Sequence, residues 1–415
     1  MKKIIPAILI SLFVMQSVQA QEESTAYEHS PFQFTFLFPP LSTNGAKNAR
    51  IVNDVSLNLF VGVSGGVEKF EAASFINIDQ YYMNGIQVAG FGNTVGGYVS
   101  GAQVAGFYNV NGGYAHGFQG AGFVNVAGGN VRGFEGAGFV NVAGGGVNGA
   151  QVAGFINVAG DSLEGFQGAG FLNIAGSTAA GVQTAGFGNV SRGGATHFQG
   201  AGFFNVAGEV NGVQLAGFIN VAGKVKGSQV AGFLNICDSI DGVPLGFISV
   251  VRQNGYRKIG FTTSEVQYAS LSFKMGVRRL YNIYSFGKPL GPGSRWMFGG
   301  GLGTELDLTE RMMLNIEGTV NQELWIGNPV TPRFLYIDRL NLYNSVKCLF
   351  GWNMGDKLDI QLGPTFNVAV ANTNPNMKQL SWYEIAPYSF YNHTSSNYKQ
   401  TNVQMWVGLQ GSIYF

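Results

Sequence analysis

The side chains that could do chemistry are few and scattered. The chain has four histidines, His29, His116, His197 and His393, and two cysteines, Cys237 and Cys348. None stands at zinc-ligand spacing, and no HExxH, CxxC, GxSxG or GxxxxGK[ST] motif occurs. Gly120-Ala-Gly122 and Gly136-Ala-Gly138 begin a nucleotide-binding GxG, but Asn125 and Asn141 stand where its third glycine would be. Repeat-borne calcium sites need an Asp in every unit, and residues 81–250 hold only Asp161, Asp238 and Asp241. Glu265, Glu305, Glu310, Glu317 and Glu323 could supply a carboxylate pair for acid–base work inside a barrel lumen. The alternating polarity around them favours plain lumen-facing polar side chains. No catalytic, cofactor-binding or metal-binding residue is therefore assigned, and no cofactor is expected.

Composition narrows the class further. The 415 residues include 63 glycines, with 11% charged, 46% hydrophobic and 13% aromatic residues and a formal net charge of +1. Ordinary soluble domains carry about 25% charged residues and about 7% Gly. The charge balance leaves no footprint for nucleic acid, and two cysteines exclude a disulfide scaffold while spacing alone leaves open whether they pair. Lys2 and Lys3, the apolar run Ile4 to Met15 and the small-residue end Val18-Gln19-Ala20 read as a signal peptide over residues 1–20. Beyond residue 20 no apolar stretch approaches the 18 residues of a helical span.

The elements that would position these residues are repeats. A unit G-x-Q-x-A-G-F-x-N-V-A-G recurs twelve times over residues 71–250. Its Phe falls at 75, 91, 107, 123, 139, 155, 171, 187 and 203, then at 218, 233 and 247. Apolarity alternates with period two inside each unit, which predicts strands. Val152, Ile156 and Val158 fall on one face, and Gln151, Ala153, Phe155 and Asn157 on the other. The variable apolar position after Phe (Val124, Val140, Ile156, Leu172) suits a packed interior. Where Phe precedes the Gln position, Gly follows it (Phe118 and Gly120); where Ala precedes, Val follows (Ala150 and Val152). Such compensation is expected of a close-packed layer of fixed thickness. Constant phase at a period of 16 predicts a β-solenoid of parallel coils, on the order of 58 Å long at about 4.8 Å per coil. Its ladders would comprise Phe91, Phe107, Phe123, Phe139, Phe155 and Phe171, with Asn109, Asn125, Asn141 and Asn157, and Gln103 and Gln151.

Residues 251–415 read differently. Segments of about ten alternating residues, Val266–Val277, Trp296–Leu308, Met312–Gln322, Leu340–Trp352, Leu358–Val370 and Asn402–Phe415, predict an antiparallel β domain of outer-membrane barrel type. Two earlier strands, Phe32–Phe38 and Val55–Val63 in the amino-terminal segment 21–70, would bring the strand count to the eight of a small closed barrel. The last strand places Val407, Leu409, Ile413 and Phe415 on one face and looks like the terminal signal of bacterial outer-membrane barrels.

Together, the export signal, the tandem units and the flanking β segments resemble the surface-repeat proteins of the bacterial envelope found in Bacteroidota and spirochaetes. The likeness covers roughly residues 30–290 and includes Gly242-Val-Pro-Leu-Gly246 and Gly255-Tyr256. It implies an exported, non-enzymatic protein at the outer membrane or cell surface of a Gram-negative bacterium, with a structural or partner-binding repeat region anchored by a β domain. The implied partners are the outer membrane, its barrel-assembly machinery and an unknown surface partner, with no nucleic acid. The competing expectation is a pore or transport barrel in which the repeats themselves are membrane strands.

Overall fold

Each repeat folds into one coil of a parallel β-solenoid of about twelve turns. The computed structural model describes residues 27–37, 41–289, 295–326, 335–336, 341–355, 358–372, 385–395 and 401–415. The signal segment 1–20 and Phe38 lie outside them. A coil has two short strands, such as Val147–Ala153 and Ile156–Ala159, which meet at a corner formed by Gly154 and Phe155. Equivalent strands pair in parallel and in register, Val131 with Val147 and Val147 with Leu163, Asn141 with Asn157 and Asn157 with Asn173. The repeats are thus not membrane strands of a larger barrel, whose neighbours would run antiparallel.

The faces of the coil are opposite in character to the expectation. Gln151, Ala153, Asn157 and Ala159 are buried, whereas Val152, Ile156 and Val158 point outward and are exposed or half-exposed. The interior is an amide layer, backed at its far side by Ala115, Ala127, Val131, Ala143, Val147 and Leu163. The variable apolar position tolerates Val, Ile or Leu because it is on the outside. The compensation between Phe118 and Gly120 is also an outer-surface effect. A Cβ on Gly136 would stand 3.0 Å from the Phe134 ring, and one on Gly168 2.8 Å from the Phe166 ring. The Phe ring lies over the glycine two residues on, where a Val would collide with it.

The early strands also depart from expectation. Glu28–Thr35 pairs in parallel with Ile51–Asn58, and that strand in parallel with Val61–Ala73, so they are solenoid coils and not barrel strands. Their inward side chains explain the choice. Gln33, Asn53, Ser56, Asn58 and Ser64 are fully or nearly fully buried, and Asn58 donates to Asn77 Oδ1 at 3.1 Å, extending the polar interior.

All eight barrel strands come from the carboxy-terminal part: Tyr256–Ser264, Gln267–Val277, Leu280–Pro289, Arg295–Asp307, Met312–Ile326, Asn341–Asn353, Asp359–Asn372 and Thr401–Tyr414. Each pairs antiparallel with the next, and the first closes on the last through Gly260 with Tyr414 and Thr262 with Ser412. Tyr256–Ser264 and Leu280–Pro289 replace the two strands expected from the amino-terminal segment. Packing divides the chain into Met1–Gly227 and Ser228–Phe415, so the last coils group with the barrel. Within that unit Asn282 Nδ2 donates to the carbonyls of Gly246 and Phe247 at 2.8 and 3.2 Å, and the Phe247 ring meets Tyr284 edge-on at 5.7 Å. Cys237 and Cys348 are both free thiols.

Coil stacking depends on glycine at one recurring position. Gly149 has φ +137°, and a Cβ there would lie 1.9 Å from the Gly133 carbonyl oxygen. Gly149→Ala should therefore cost at least about 2–3 kcal/mol. Gly120→Ala meets only a ring that can swing outward and should cost well under half as much. Thermal melts of the two variants followed by circular dichroism check the difference.

Candidate functional site

The repeats bring together three ladders. Phe107 stacks on Phe91 at 5.0 Å, and the series continues at 4.9, 4.9, 4.8 and 4.9 Å through Phe123, Phe139, Phe155 and Phe171. The Asn side chains donate toward the carboxy terminus, Asn109 to Asn125, Asn125 to Asn141 and Asn141 to Asn157, each at 2.9 Å. Each Asn spends its second N–H on a carbonyl of the opposing strand, as Asn141 does on Val152 O at 2.8 Å. The Gln side chains donate the other way, Gln103 to Gln87 Oε1 at 2.7 Å and Gln167 to Gln151 Oε1 at 2.8 Å. Each of these rungs satisfies a buried amide that would otherwise cost about 1–3 kcal/mol.

One rung is different. Glu135 occupies a Gln position, fully buried, and accepts from Gln151 Nε2 at 2.7 Å. On its other side there is no N–H to give, and both Glu135 Oε1 and Gln119 Oε1 lack a hydrogen-bond partner. Burial pushes the Glu135 carboxyl up to about 7, opposed only by the Gln151 hydrogen bond. A protonated carboxyl restores the rung by donating to Gln119. The ladder begins at a second acidic site: Gln87 Nε2 donates to Glu71 Oε2 at 2.7 Å and to Asp79 Oδ2 at 2.6 Å. Burial raises both carboxyls, Asp79 further because Glu71 lies beside it.

His116, His197 and the exposed repeat-borne charges fall on the opposite edge of the coil, whereas His393 lies in the strand Tyr391–Thr394 beside the last barrel strand. His116, Arg132, Asn148, Asp161 and Glu164 line a groove of about 520 Å³, with Asn148 donating to Glu164 at 2.8 Å. The carboxylates singled out for acid–base work lie elsewhere. Glu305, Glu317 and Glu323 are buried in the barrel lumen, each paired with a cation: Lys258 with Glu305 at 3.1 Å, Lys274 with Glu317 at 2.5 Å, and Arg295 with Glu323. Lys274 is 0% exposed, lies 3.9 Å from the Tyr414 ring centroid, and shares Glu317 with the Tyr281 hydroxyl. Glu265 accepts from Trp406 Nε1, Asn367 Nδ2 and Leu409 N at 2.9, 2.9 and 3.0 Å, and Glu310 is exposed in a turn. These carboxylates are spent on ion pairs and hydrogen bonds, and the described residues contain no cluster of metal-binding side chains.

The barrel wall is reversed in the same sense as the coils. Asn315, Thr319, Asn321, Ser345, Asn367 and Gln404 point inward and are buried, while outward positions carry Phe261 at 64% exposure, Phe298, Val320, Val346, Phe350 and Leu409 at 57%. Val407, Ile413 and Phe415 share that outer face with Leu409. Sequence reasoning missed the pairing inside the lumen, because Lys274 and Glu317 meet only across a closed barrel. No helix among the described residues is long and apolar enough to cross a membrane. No family model, curated protein or solved structure matches this chain.

Two outcomes follow. Because the folded coil holds Glu135 neutral, its stabilisation is complete below the unfolded value of about 4.5 and is lost as pH rises through about 7, to a total near 3 kcal/mol. Glu135→Gln should raise the melting temperature at pH 8 and leave it nearly unchanged at pH 4.5, as paired thermal melts will show. Lys274→Met breaks the buried pair with Glu317, leaving Lys347 as its facing cation, and should cost up to about 3–5 kcal/mol, most of it recovered when Glu317→Leu and Lys347→Met are added together. All five Trp lie between 296 and 406, so denaturant titration followed by Trp fluorescence reads the barrel alone.

Proposed function

We propose that this is an exported outer-membrane protein of a Gram-negative envelope, in which the eight-stranded barrel spans the bilayer and the repeat solenoid serves as a structural and partner-binding element held at that membrane. The observation that carries the reading is the sidedness of the barrel. A water-soluble barrel of this size puts apolar side chains inside and polar ones out, whereas a membrane barrel does the reverse. Here a lumen of ion pairs and amides, with one buried cluster around Met297, Tyr343 and Trp406, sits behind an outer wall of Phe, Leu, Ile and Val. With eight strands, side chains suffice to fill the interior, and Lys274, Glu317, Tyr281 and Gln361 occupy it. That favours an anchor over a conducting pore.

Topology supports an orientation. Turns at one end are short, with Val277 and Leu280 separated by two residues, and the chain enters and leaves the barrel there at Tyr256 and Tyr414. At the other end one connection, Ser264 to Gln267, is equally short, and the other three run from Pro289 to Arg295, Ile326 to Asn341 and Asn372 to Thr401, the last two longer than any at the first end. Outer-membrane barrels keep short turns on the periplasmic side and long loops outside. The chain leading into Tyr256 thus belongs to the periplasmic side, where barrel-assembly machinery and envelope partners meet it. The charged edge of the coils, with its variable His116, Arg132 and Glu164, is the recognition surface. The resemblance to envelope surface-repeat proteins points the same way.

Expressed with residues 1–20 in a Gram-negative host, the chain should fractionate with the outer membrane and show a heat-modifiable band on gels run without boiling. Val346→Lys, in the middle of the outer wall, should cost about 2–4 kcal/mol of barrel stability in lipid vesicles. Recovery of folded protein in the soluble fraction would overturn the reading.

A further inference from the structure

The barrel accounts for only part of the exposed apolar surface. In each coil the outward positions from five residues before the ladder Phe to three after it carry no charge. Over the ten coils from Phe75 to Phe218 the only hydroxyl-bearing side chains there are Ser74, Thr94, Tyr108 and Thr184. The rest are Phe, Val, Ile, Leu, Ala and Gly, with Phe118, Phe134, Phe166, Val152 and Val104 all more than a third exposed. Charged side chains that reach the surface, including Lys69, Arg132, Asp161, Arg192, Glu209 and Lys226, stand on the opposite edge.

The surface has the form of a wedge. Asn157 reaches across the interior to Gly168 O at 2.8 Å, as Asn125 does to Gly136 O at 2.9 Å, so the two strands of a coil face each other across an amide layer. Their outer sides therefore look in diverging directions and meet at the Phe corner. Ten coils at about 4.8 Å, each with about ten residues at about 3.3 Å, present on the order of 1,500 Å². The largest apolar patch on a soluble monomer is typically about 300–600 Å².

We propose that this wedge is immersed in a lipid bilayer, with the Phe ladder as its leading edge among the acyl chains and the charged edge in water. A flat protein partner, including a second copy of this chain, can cover one flank of a wedge but not both, whereas fluid acyl chains cover both. The last coil adds a second argument. Its ladder residue Phe247 packs on Tyr284, an outward residue of the barrel wall whose ring is also paired with Phe273 at 6.5 Å. Within the Ser228–Phe415 unit the ladder edge thus meets the apolar outer wall itself. The charge segregation is that of an interfacial amphipathic element, built here from stacked coils in place of a helix. The inference deepens the outer-membrane reading and rests on it for the bilayer.

The test uses the full chain with Cys237→Ala and Cys348→Ala, reconstituted in phosphatidylcholine vesicles, with single cysteines at Val152, Ile156, Asp161 or Leu409 carrying a fluorophore. Nitroxide-labelled acyl chains are the lipid quencher and iodide is the aqueous one. Leu409 on the barrel wall reports the membrane reading by itself. Lipid should quench Leu409, Val152 and Ile156 to a similar extent, with loss of most of their emission, while iodide quenches Asp161 alone. Quenching of Leu409 by lipid with Val152 and Ile156 quenched by iodide would overturn the wedge and leave the barrel in place. Shielding of Val152 and Ile156 from both quenchers, with a dimer in sedimentation, would replace lipid by a second copy. If lipid fails to quench Leu409, the membrane reading falls as well.

Discussion

Everything in this chain depends on amides buried and satisfied in one direction. An Asn or Gln side chain in an apolar interior costs free energy unless its donors and acceptors are met. Stacking identical coils meets them without exception along Asn109 to Asn173, because each rung supplies what the next needs. The ladders run with opposite polarity, Asn donating forward and Gln backward. Register then has no freedom, since a slip of one residue would bury Val152 and expose Gln151. Glu135 shows the same constraint from its other side: a carboxyl in the row fits only while it keeps its proton.

Filling the inside with amides sends the apolar side chains outward. The barrel obeys the same inversion with different chemistry, ion pairs and hydroxyls in the lumen and Phe, Leu and Val on the wall. Two architectures, one parallel and one antiparallel, therefore share one solvent preference. The bilayer proposed above would satisfy both. The charged edge of the coils lies away from that apolar surface, across the width of the amide core.

The period of sixteen, the strand character and the parallel stacking were legible, because constant phase has no other economical explanation. Sidedness was not. Val152, Ile156 and Val158 were placed inside on the general rule that apolar residues are buried. The contrary signal was already in the repeats: Gln and Asn hardly vary from unit to unit, while their apolar neighbours range over Gly, Val, Ile, Leu and Phe. Interior positions are the constrained ones. The missing barrel strands have a similar cause. Leu280–Pro289 carries Asn282 on its outer side, where it bonds Gly246 and Phe247, and this breaks the alternation that marks its neighbours. Lumen pairs such as Lys274 with Glu317 could not be read, since only closure of the barrel brings residues 43 positions apart into contact.

The central claim is that polar side chains are inside and apolar ones outside in both halves of the chain. Solid-state NMR of the isotope-labelled protein in proteoliposomes tests it most directly, by following magnetisation from acyl-chain protons and from water into side-chain carbons. The account predicts transfer from acyl chains into Phe and Val signals of repeats and barrel alike, with little from either source into the Asn and Gln carboxamides. Transfer from water into the repeat Phe and Val signals, with none from lipid, would contradict it.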